Sequence, residues 1–213
     1  MAFDTSAAQC AAAVLIGDRC VVRIDTMAKG QAEHLMPMLG EMLQAEGLDW
    51  SDLDAIGVGI GPGNFTGIRI SVSAARGLAL GLGIPAIGVD GLSAQVFGIS
   101  GNVVSARSAP RDRVYLQSFS NGAPTGAARL CDLTEAATVT ETLPADVQVV
   151  GSPAEMLGEK LGWAPCPAQV TLVEGVARIA SARRLLPNDR PAPLYMRNAD
   201  AAPSKDPAPA LLP

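Results

Sequence analysis

Residues 55–83 read AIGVGIGPGNFTGIRISVSAARGLALGLG, and this stretch decides the fold of the chain. It begins with an apolar segment typical of a buried strand, turns through a glycine-rich sequence at 61–67, and continues as a long run of small residues. Asn64 or Thr66 can cap the helix that this run predicts, because a short side-chain oxygen accepts a hydrogen bond from a first-turn amide. The stretch therefore predicts a strand, a tight turn and a helix in direct succession.

The turn at 61–67 has two interpretations. A glycine-rich turn between a strand and a helix directs several N–H donors and the positive end of the helix dipole to one point, which suits an anion. Alternatively, Gly61 and Gly63 only permit a sharp turn. The stretch is not a Walker A loop, because no Gly-Lys-Ser/Thr follows and the lysine that would reach the outer phosphates is missing.

The pattern on either side of this stretch predicts an α/β protein. Strands are expected at 2–6, 11–16, 20–25 and 55–60, and helices at 31–46 and from the capped turn to residue 83. A further strand at 84–89 precedes a second series, with helices at 92–99 and 171–186 and strands at 103–104, 114–119 and 147–150. We therefore expect an N-terminal half-domain at 1–98, a smaller C-terminal half-domain at 99–198, and a disordered Pro/Ala-rich tail at 199–213.

Composition restricts the function of the chain. Of the 213 residues, 48% are hydrophobic and 17% are charged, which is typical of a well-folded globular protein, and the net charge is −5. A protein that bound nucleic acid alone would be expected to have a basic face, because Lys and Arg neutralise the phosphates. Arg107, Arg111 and Arg113 form a modest cluster before Arg183 and Arg184, and both groups are predicted to be solvated surface.

The four cysteines are widely spaced, without a CxxC pair, and are predicted to be reduced, mostly buried thiols. The start of the chain has no secretion signal pattern. Gly and Pro interrupt the apolar windows before they reach the ~20 residues of a membrane span. We therefore expect a cytoplasmic protein with no membrane partner.

Three segments carry a resemblance to a known family. Residues 59–79, GIGPGNFTGIRISVSAARGLA, resemble the signature loop and helix of the bacterial TsaB (YeaZ) family, which supports threonylcarbamoylation of adenosine 37 in tRNAs. Residues 2–6, AFDTS, are similar to the first strand of that family, and 193–197, PLYMR, to its closing Pro-x-Tyr-x-Arg motif. The resemblance implies a two-lobed actin-like ATPase or sugar-kinase-like (ribonuclease H-like) fold, with mixed sheets covered by helices.

The resemblance also implies the remnant of a nucleotide loop. In the actin-like superfamily, an acidic residue after the first strand holds a metal-bound water, and neighbouring hydroxyls face the phosphates. The resemblance places Asp4 at the acidic position and Thr5 and Ser6 at the hydroxyl positions. The turn would complete this remnant through Gly61, Gly63, Asn64 and Thr66. A second acidic phosphate loop is not found in the sequence, and 150–153 is a poor adenosine loop. We therefore predict no cofactor for the chain itself, while ATP or ADP could bind in a complex.

Histidine content argues against catalysis. The catalytic relatives of the TsaD type carry metal-binding histidines on a helix, whereas this chain has a single histidine, His34. One imidazole cannot form a site that requires two, so no metal site is predicted. A HExxH protease or a Ser-His-Asp hydrolase also has no plausible base here. A peptidase function therefore has no chemical support.

Two helices have features of a contact surface. Helix 31–46 is apolar on nearly all sides and is rich in methionine. The helix that follows the glycine-rich turn has a small residue at every fourth position from Gly67. By pattern alone, a partner surface and a helix enclosed within the monomer are equally acceptable, but TsaB-like proteins pair through these helices. The predicted interface residues are His34, Leu35, Met38, Met42, Gly67, Ser71, Ala75 and Ala79.

We therefore expect a non-catalytic scaffold subunit of the complex that modifies adenosine 37 of tRNA. The resemblance implies a TsaD-like catalytic subunit, a TsaE-like ATPase and tRNA as partners within the complex, and a homodimer when the chain is alone. The alternative is a nucleotide-binding protein of the same fold with weak ATPase or kinase activity. One departure from the family is Ser108, which stands where TsaB-like proteins usually have an aspartate before the Val-Tyr strand.

Overall fold

Two β-sheets with helices packed against them form the molecule in the computed structural model. The structure describes residues 1–196 except 141–143 and 145. The tail predicted at 199–213 lies outside the described residues. No helix within the described ranges is both long and apolar enough to cross a membrane.

The first sheet is built from the N-terminal strands. Its members are β1 (Ala2–Asp4), β2 (Gln9–Ile16), β3 (Arg19–Thr26), β4 (Ile56–Gly59) and β5 (Ala86–Val89). They lie in the order β3-β2-β1-β4-β5. Tight turns join β1 to β2 and β2 to β3, so these pairs are antiparallel, whereas β1, β4 and β5 run parallel because helices connect them. The mixed sheet agrees with the predicted class.

One face of this sheet is covered by α1 (Gln31–Ala45) and α2 (Phe65–Leu82). Both helices direct apolar side chains into a single core with Phe3 of β1 and Val58 of β4. The helix predicted at 31–46 and the strand-turn-helix predicted at 55–83 are thus confirmed. Pro37 lies in the second turn of α1 without ending the helix.

The second sheet contains β6 (Asn102–Ala109), β7 (Arg113–Ser120), β8 (Ala123–Pro124), β9 (Arg129–Cys131), β10 (Gln148–Val150) and β11 (Ala164–Pro165). Its main path is β11-β10-β6-β7-β8, with β9 also paired to β7. Three helices accompany it: α3 (Gly91–Gln95), α4 (Leu133–Thr140) and α5 (Ala154–Leu161). The helix predicted at 92–99 is shorter in the structure, where α3 ends at Gln95. Helices α4 and α5 were not predicted.

The last helix returns to the first sheet. α6 (Leu172–Arg183) packs its buried residues Val173, Val176 and Ala180 against Ala2 and Ile87, on the face opposite α1 and α2. Gly57 of β4 lies so close to α6 that a Cβ there would be 2.8 Å from the Cβ of Ala180. The prediction of one continuous C-terminal half-domain at 99–198 therefore needs correction, because α6 belongs to the core of the first sheet.

Candidate functional site

A cavity of about 820 Å³ lies between the two sheets. Ser6, which follows β1, and the turn at 62–66 contribute from the first sheet, while Arg107, Ser108 and Ser152 contribute from the second. Residues 194–196 complete the lining. The backbone of Leu194 is held at the first sheet, because its N–H donates to the carbonyl of Ile60 at 2.8 Å. A cavity of this size is in the range of small-ligand sites.

Close contact with the β1–β2 loop explains two glycines of the turn. A Cβ at Gly63 would lie 2.4 Å from the Ser6 carbonyl oxygen, and one at Gly67 would lie 1.9 Å from the Thr5 carbonyl oxygen. The amide of Asn64 donates to the Ser6 carbonyl at 2.7 Å, which fixes this approach. Gly61, with a φ of 97°, is buried behind the turn and accepts a hydrogen bond from the Gly91 amide at 2.7 Å.

Asn64 is the N-cap of α2. Its side-chain oxygen accepts from the Gly67 amide at 2.9 Å, and its carbonyl accepts from the Ile68 amide. Thr66, the other predicted cap, is exposed and lines the cavity instead. The cap already uses one of the first-turn donors that an anion would need.

The Asp4-Thr5-Ser6 segment is mostly enclosed, contrary to the expected phosphate-facing loop. Asp4 is 1% exposed, and its Oδ1 accepts from the Ser6 amide at 3.0 Å and from the Ser6 hydroxyl at 2.7 Å. The Thr5 hydroxyl donates to the Gly67 carbonyl at 2.6 Å. Of these three residues, Ser6 alone is part of the described cavity lining.

Arg107 of β6 is half-buried at the cavity, so its prediction as solvated surface is wrong. Its Nη2 donates to the Ser6 hydroxyl at 3.2 Å, so that hydroxyl links Arg107 to Asp4 across the two sheets. Within the described part of the chain, the buried atoms Asp4 Oδ2 and Arg107 Nη1 have no hydrogen-bond partner. A buried polar atom without a hydrogen bond lowers the stability of the fold. The contact between Asp4, Ser6 and Arg107 is therefore polar, with hydrogen-bonding capacity that is not fully used.

Of the three aromatic residues in the described cavity lining, two are stacked on each other. Phe65, the first residue of α2, stacks on Tyr195 with ring centroids 4.9 Å apart. The Arg69 guanidinium lies 4.0 Å from the Phe65 ring centroid, and its Nε donates to the Tyr195 hydroxyl at 2.7 Å. Tyr195 belongs to the closing motif at 193–197, but the sequence did not predict this contact, although the i, i+4 spacing of Phe65 and Arg69 is a signal of contact on a helix.

His34 lies elsewhere, in an ionic cluster on β3 and α1. Its Nε2 is 2.7 Å from Asp25 Oδ2, and Arg23 binds the same carboxylate. These hydrogen bonds, first from Arg23 and then from His34, hold the pKa of Asp25 below its usual value. In the described ranges, no group of three or more His, Cys, Asp or Glu residues could hold a metal ion.

The described cysteines are free thiols, and two of them, Cys10 and Cys131, are buried. Burial, with a smaller contribution from the Asp25 charge, raises the pKa of the Cys10 thiol to about 11. Cys10 is therefore protonated at neutral pH and is not an activated nucleophile.

The predicted partner residues face the inside of the monomer. Leu35, Met38 and Met42 are at most 5% exposed and belong to the core under α1. Gly67, Ser71 and Ala75 are also buried, so the prediction that this stripe faces outward is wrong. Ala79 and His34 are half-exposed. The side of α2 that faces solvent instead carries Ser73, Arg76, Gly77, Leu80 and Gly81.

Comparison with known proteins identifies relatives over most of the chain. A family model described as TsaD, tRNA N6-adenosine threonylcarbamoyltransferase, matches residues 25–150. The "tRNA threonylcarbamoyladenosine biosynthesis protein TsaB" of Haemophilus influenzae is 33% identical over 121 residues, which are 54% of this chain and 51% of the relative. An uncharacterised protein of Mycobacterium bovis is 33% identical over 195 residues, covering 89% of this chain and 84% of the relative.

A solved structure supports the same assignment. An uncharacterised Pseudomonas aeruginosa protein, described as similar to peptidase YeaZ, superposes with a TM-score of 0.75 at 26% identity, covering 92% of this chain and 98% of that one. The match spans about half the length of the curated Haemophilus influenzae TsaB. The fold is thus the two-lobed actin-like α/β fold, and the chain belongs to the TsaB (YeaZ) family.

Proposed function

We propose that this chain is a non-catalytic accessory subunit of the complex that forms threonylcarbamoyladenosine at position 37 of tRNA. Family membership and the names of its TsaB relatives support the pathway. The catalytic centre would lie on a TsaD-like subunit that this chain binds. A TsaE-like ATPase and tRNA would join through the assembled complex.

The chemistry of the cleft supports an accessory role. The sequence holds one histidine, and His34 is engaged by Asp25 outside the cavity. Among the described residues that line the cavity, Arg107 is the one charged side chain. Asp4 lies behind Ser6 and is 1% exposed, so its carboxylate does not face the cavity as a metal ligand would. The described lining therefore offers a substrate no histidine or carboxylate as a general base and no carboxylate to bind a metal ion.

One observation carries the proposal: the solvent side of α1 and α2 has the character of a packing surface. We name this the outer α1–α2 face, defined by Met36, Ser73, Gly77, Leu80 and Gly81. Leu80 is 81% exposed and Met36 is 39% exposed. Apart from the nearby backbone of α2 itself, no atom of the described residues lies within 4 Å of the Cβ position at Gly77 or Gly81, so another backbone can approach closely. Large exposed apolar side chains among small residues are typical of protein contacts.

Substitution of one exposed leucine tests the proposal, with a matched control. Leu80→Arg would place a cation on the outer α1–α2 face, whereas Leu185→Arg makes the same change at a residue 85% exposed just beyond α6, on the opposite side of the first sheet. Because both side chains are exposed, both variants are expected to fold. Only Leu80→Arg is expected to lose capture of a co-expressed TsaD-like subunit and to abolish tRNA modification in a reconstituted assay.

The outcomes separate the proposal from its alternatives. If Leu80→Arg captures the TsaD-like subunit as well as Leu185→Arg does, the outer α1–α2 face is not the contact. Sedimentation of the unmodified chain alone measures whether the same face forms a homodimer, which Leu80→Arg is then expected to dissociate. Normal tRNA modification in a reaction that omits this chain would contradict the accessory role.

A further inference from the structure

The mouth of the cleft presents an aromatic surface that the proposed scaffold role does not use. Phe65 and Tyr195 are 45% and 44% exposed, although they stack on each other and line the cavity. Arg69 holds the pair from the side through the contact with Phe65 and the hydrogen bond to Tyr195. The rings are therefore pre-oriented, so a planar group could bind against them with little further loss of side-chain freedom.

A positive charge lies in the same cavity. The Arg107 guanidinium makes one hydrogen bond within the described residues, to the Ser6 hydroxyl, and its Nη1 is buried without an acceptor. The hydroxyls of Ser108 and Ser152, 3.0 Å apart, lie beside it in the lining. Nη1 itself lies against Gly91, because a Cβ there would be 2.0 Å from it. An anion in the cavity would therefore be attracted by the guanidinium charge and could accept hydrogen bonds from the two hydroxyls.

We propose that the cleft binds an unstacked nucleotide of single-stranded RNA, with the base against the Phe65–Tyr195 pair and a backbone phosphate at Arg107. Single-stranded RNA is recognised by stacking of splayed bases on aromatic side chains and by Arg contacts to phosphate. A phosphodiester carries one negative charge, which one arginine matches. A free triphosphate carries several charges and a metal ion, and the described lining offers neither a second cation nor a carboxylate.

The choice of RNA over a free nucleotide also rests on the proposed function, in which tRNA is the substrate of the complex. The residues that form the RNA site are not part of the outer α1–α2 face. Because the chain has a net charge of −5, the isolated protein is expected to bind RNA weakly, and the cleft would act on RNA that the complex already holds.

Fluorescence anisotropy of a short labelled oligoadenylate, at low ionic strength, tests the proposal on the full chain. Phe65→Leu removes the ring and keeps an apolar side chain, and it is expected to weaken binding about tenfold. Arg107→Gln removes the charge and is expected to weaken binding to a similar extent. The control, Arg129→Gln, makes the same change at an exposed arginine outside the cavity lining and is expected to leave binding unchanged.

Two further probes distinguish single-stranded RNA from an RNA duplex and from a free nucleotide. A blunt-ended RNA duplex, whose bases are paired, is expected to bind at least about tenfold more weakly than oligoadenylate. Equal binding of the duplex, or unchanged binding by Phe65→Leu, would overturn the stacking proposal. Saturable binding of AMP without binding of oligoadenylate would overturn the RNA assignment. Phe65→Leu is expected to capture the TsaD-like subunit normally, and Leu80→Arg is expected to bind oligoadenylate normally. The partner contact and the RNA site can therefore fail independently of each other.

Discussion

At the scale of single residues, two glycines of α2, Gly67 and Gly77, have different structural roles. Gly67 lies against the β1–β2 loop, where a Cβ would be 1.9 Å from the Thr5 carbonyl oxygen. Gly77 lies ten residues further along the same helix, where the described residues outside the nearby α2 backbone place no atom within 4 Å of its Cβ position. Glycine is required for packing at the first position and only lowers helix stability at the second, where a second chain can use the space.

Alanine substitution at these two glycines is therefore expected to have opposite effects. Gly67→Ala should lower the free energy of unfolding by about 1 to 3 kcal/mol, because a backbone carbonyl must shift to admit the methyl group. Gly77→Ala should raise it by up to about 1 kcal/mol, because alanine is the better helix former. Urea unfolding of both variants measures the difference. A neutral Gly67→Ala would show that the β1–β2 loop moves freely.

At the scale of the element, α2 shows why an apolar helix has an ambiguous orientation. Small and apolar residues occur all round the helix, so the four-residue stripe at 67, 71 and 75 and the exposed stripe at 73, 77 and 81 look equally suitable for a contact. The structure places the first stripe against the sheet, where the Ser71 hydroxyl donates to the Ile68 carbonyl at 3.2 Å. Only the second stripe is available to a partner.

Arginine substitutions in the two stripes of α2 check this orientation. Ala75 is 0% exposed, so Ala75→Arg would bury an unpaired cation and is expected to cost more than about 3 kcal/mol, which unfolds a marginally stable domain. Ser73→Arg, two residues earlier on the exposed side, is expected to keep the fold. Circular dichroism and thermal melting report both results. A folded Ala75→Arg with an unchanged melting temperature would contradict the packing of α2 against the sheet.

At the scale of the whole molecule, contacts far apart in sequence form the cleft. The Ser6 hydroxyl meets Arg107 from 101 residues later, and Arg69 meets Tyr195 from 126 residues later. α6 crosses back to the first sheet and also packs against α3, where a Cβ at Gly175 would be 2.2 Å from the Ala94 carbonyl oxygen. The two sheets are thus joined by the loop after β1, by α3 and by the returning C-terminal segment.

The isolated chain is expected neither to hydrolyse ATP nor to transfer threonylcarbamoyl groups above background. The described cavity lining contains no carboxylate to hold a metal ion, and Asp4 is enclosed behind Ser6. Phosphate release and tRNA modification assays of the purified chain measure this directly. Asp4→Asn is the informative comparison, because turnover present in the unmodified chain and lost in this variant would assign Asp4 a catalytic role.

Much of the fold and part of the site could be predicted from sequence. The strand, turn and helix at 55–83 and the cap at Asn64 follow from local periodicity and short-range hydrogen bonding. The short strands β8 and β11 and the helices α4 and α5 were missed, because their stability depends on packing against β7 and β10 more than on their own pattern. Arg107 was assigned to the surface since its partner, Ser6, is distant in sequence.

The sequence by itself determined the order of the main elements, the glycine-rich turn and the resemblance to the TsaB family, because these depend on residues close together along the chain. Tertiary structure alone decided which side of α1 and α2 is buried, where α6 packs, and which side chains meet in the cleft. A helix with small or apolar residues on most of its sides can bury more than one of them, and the sheet it covers selects one. Residues a hundred positions apart become neighbours only when both sheets have formed and packed.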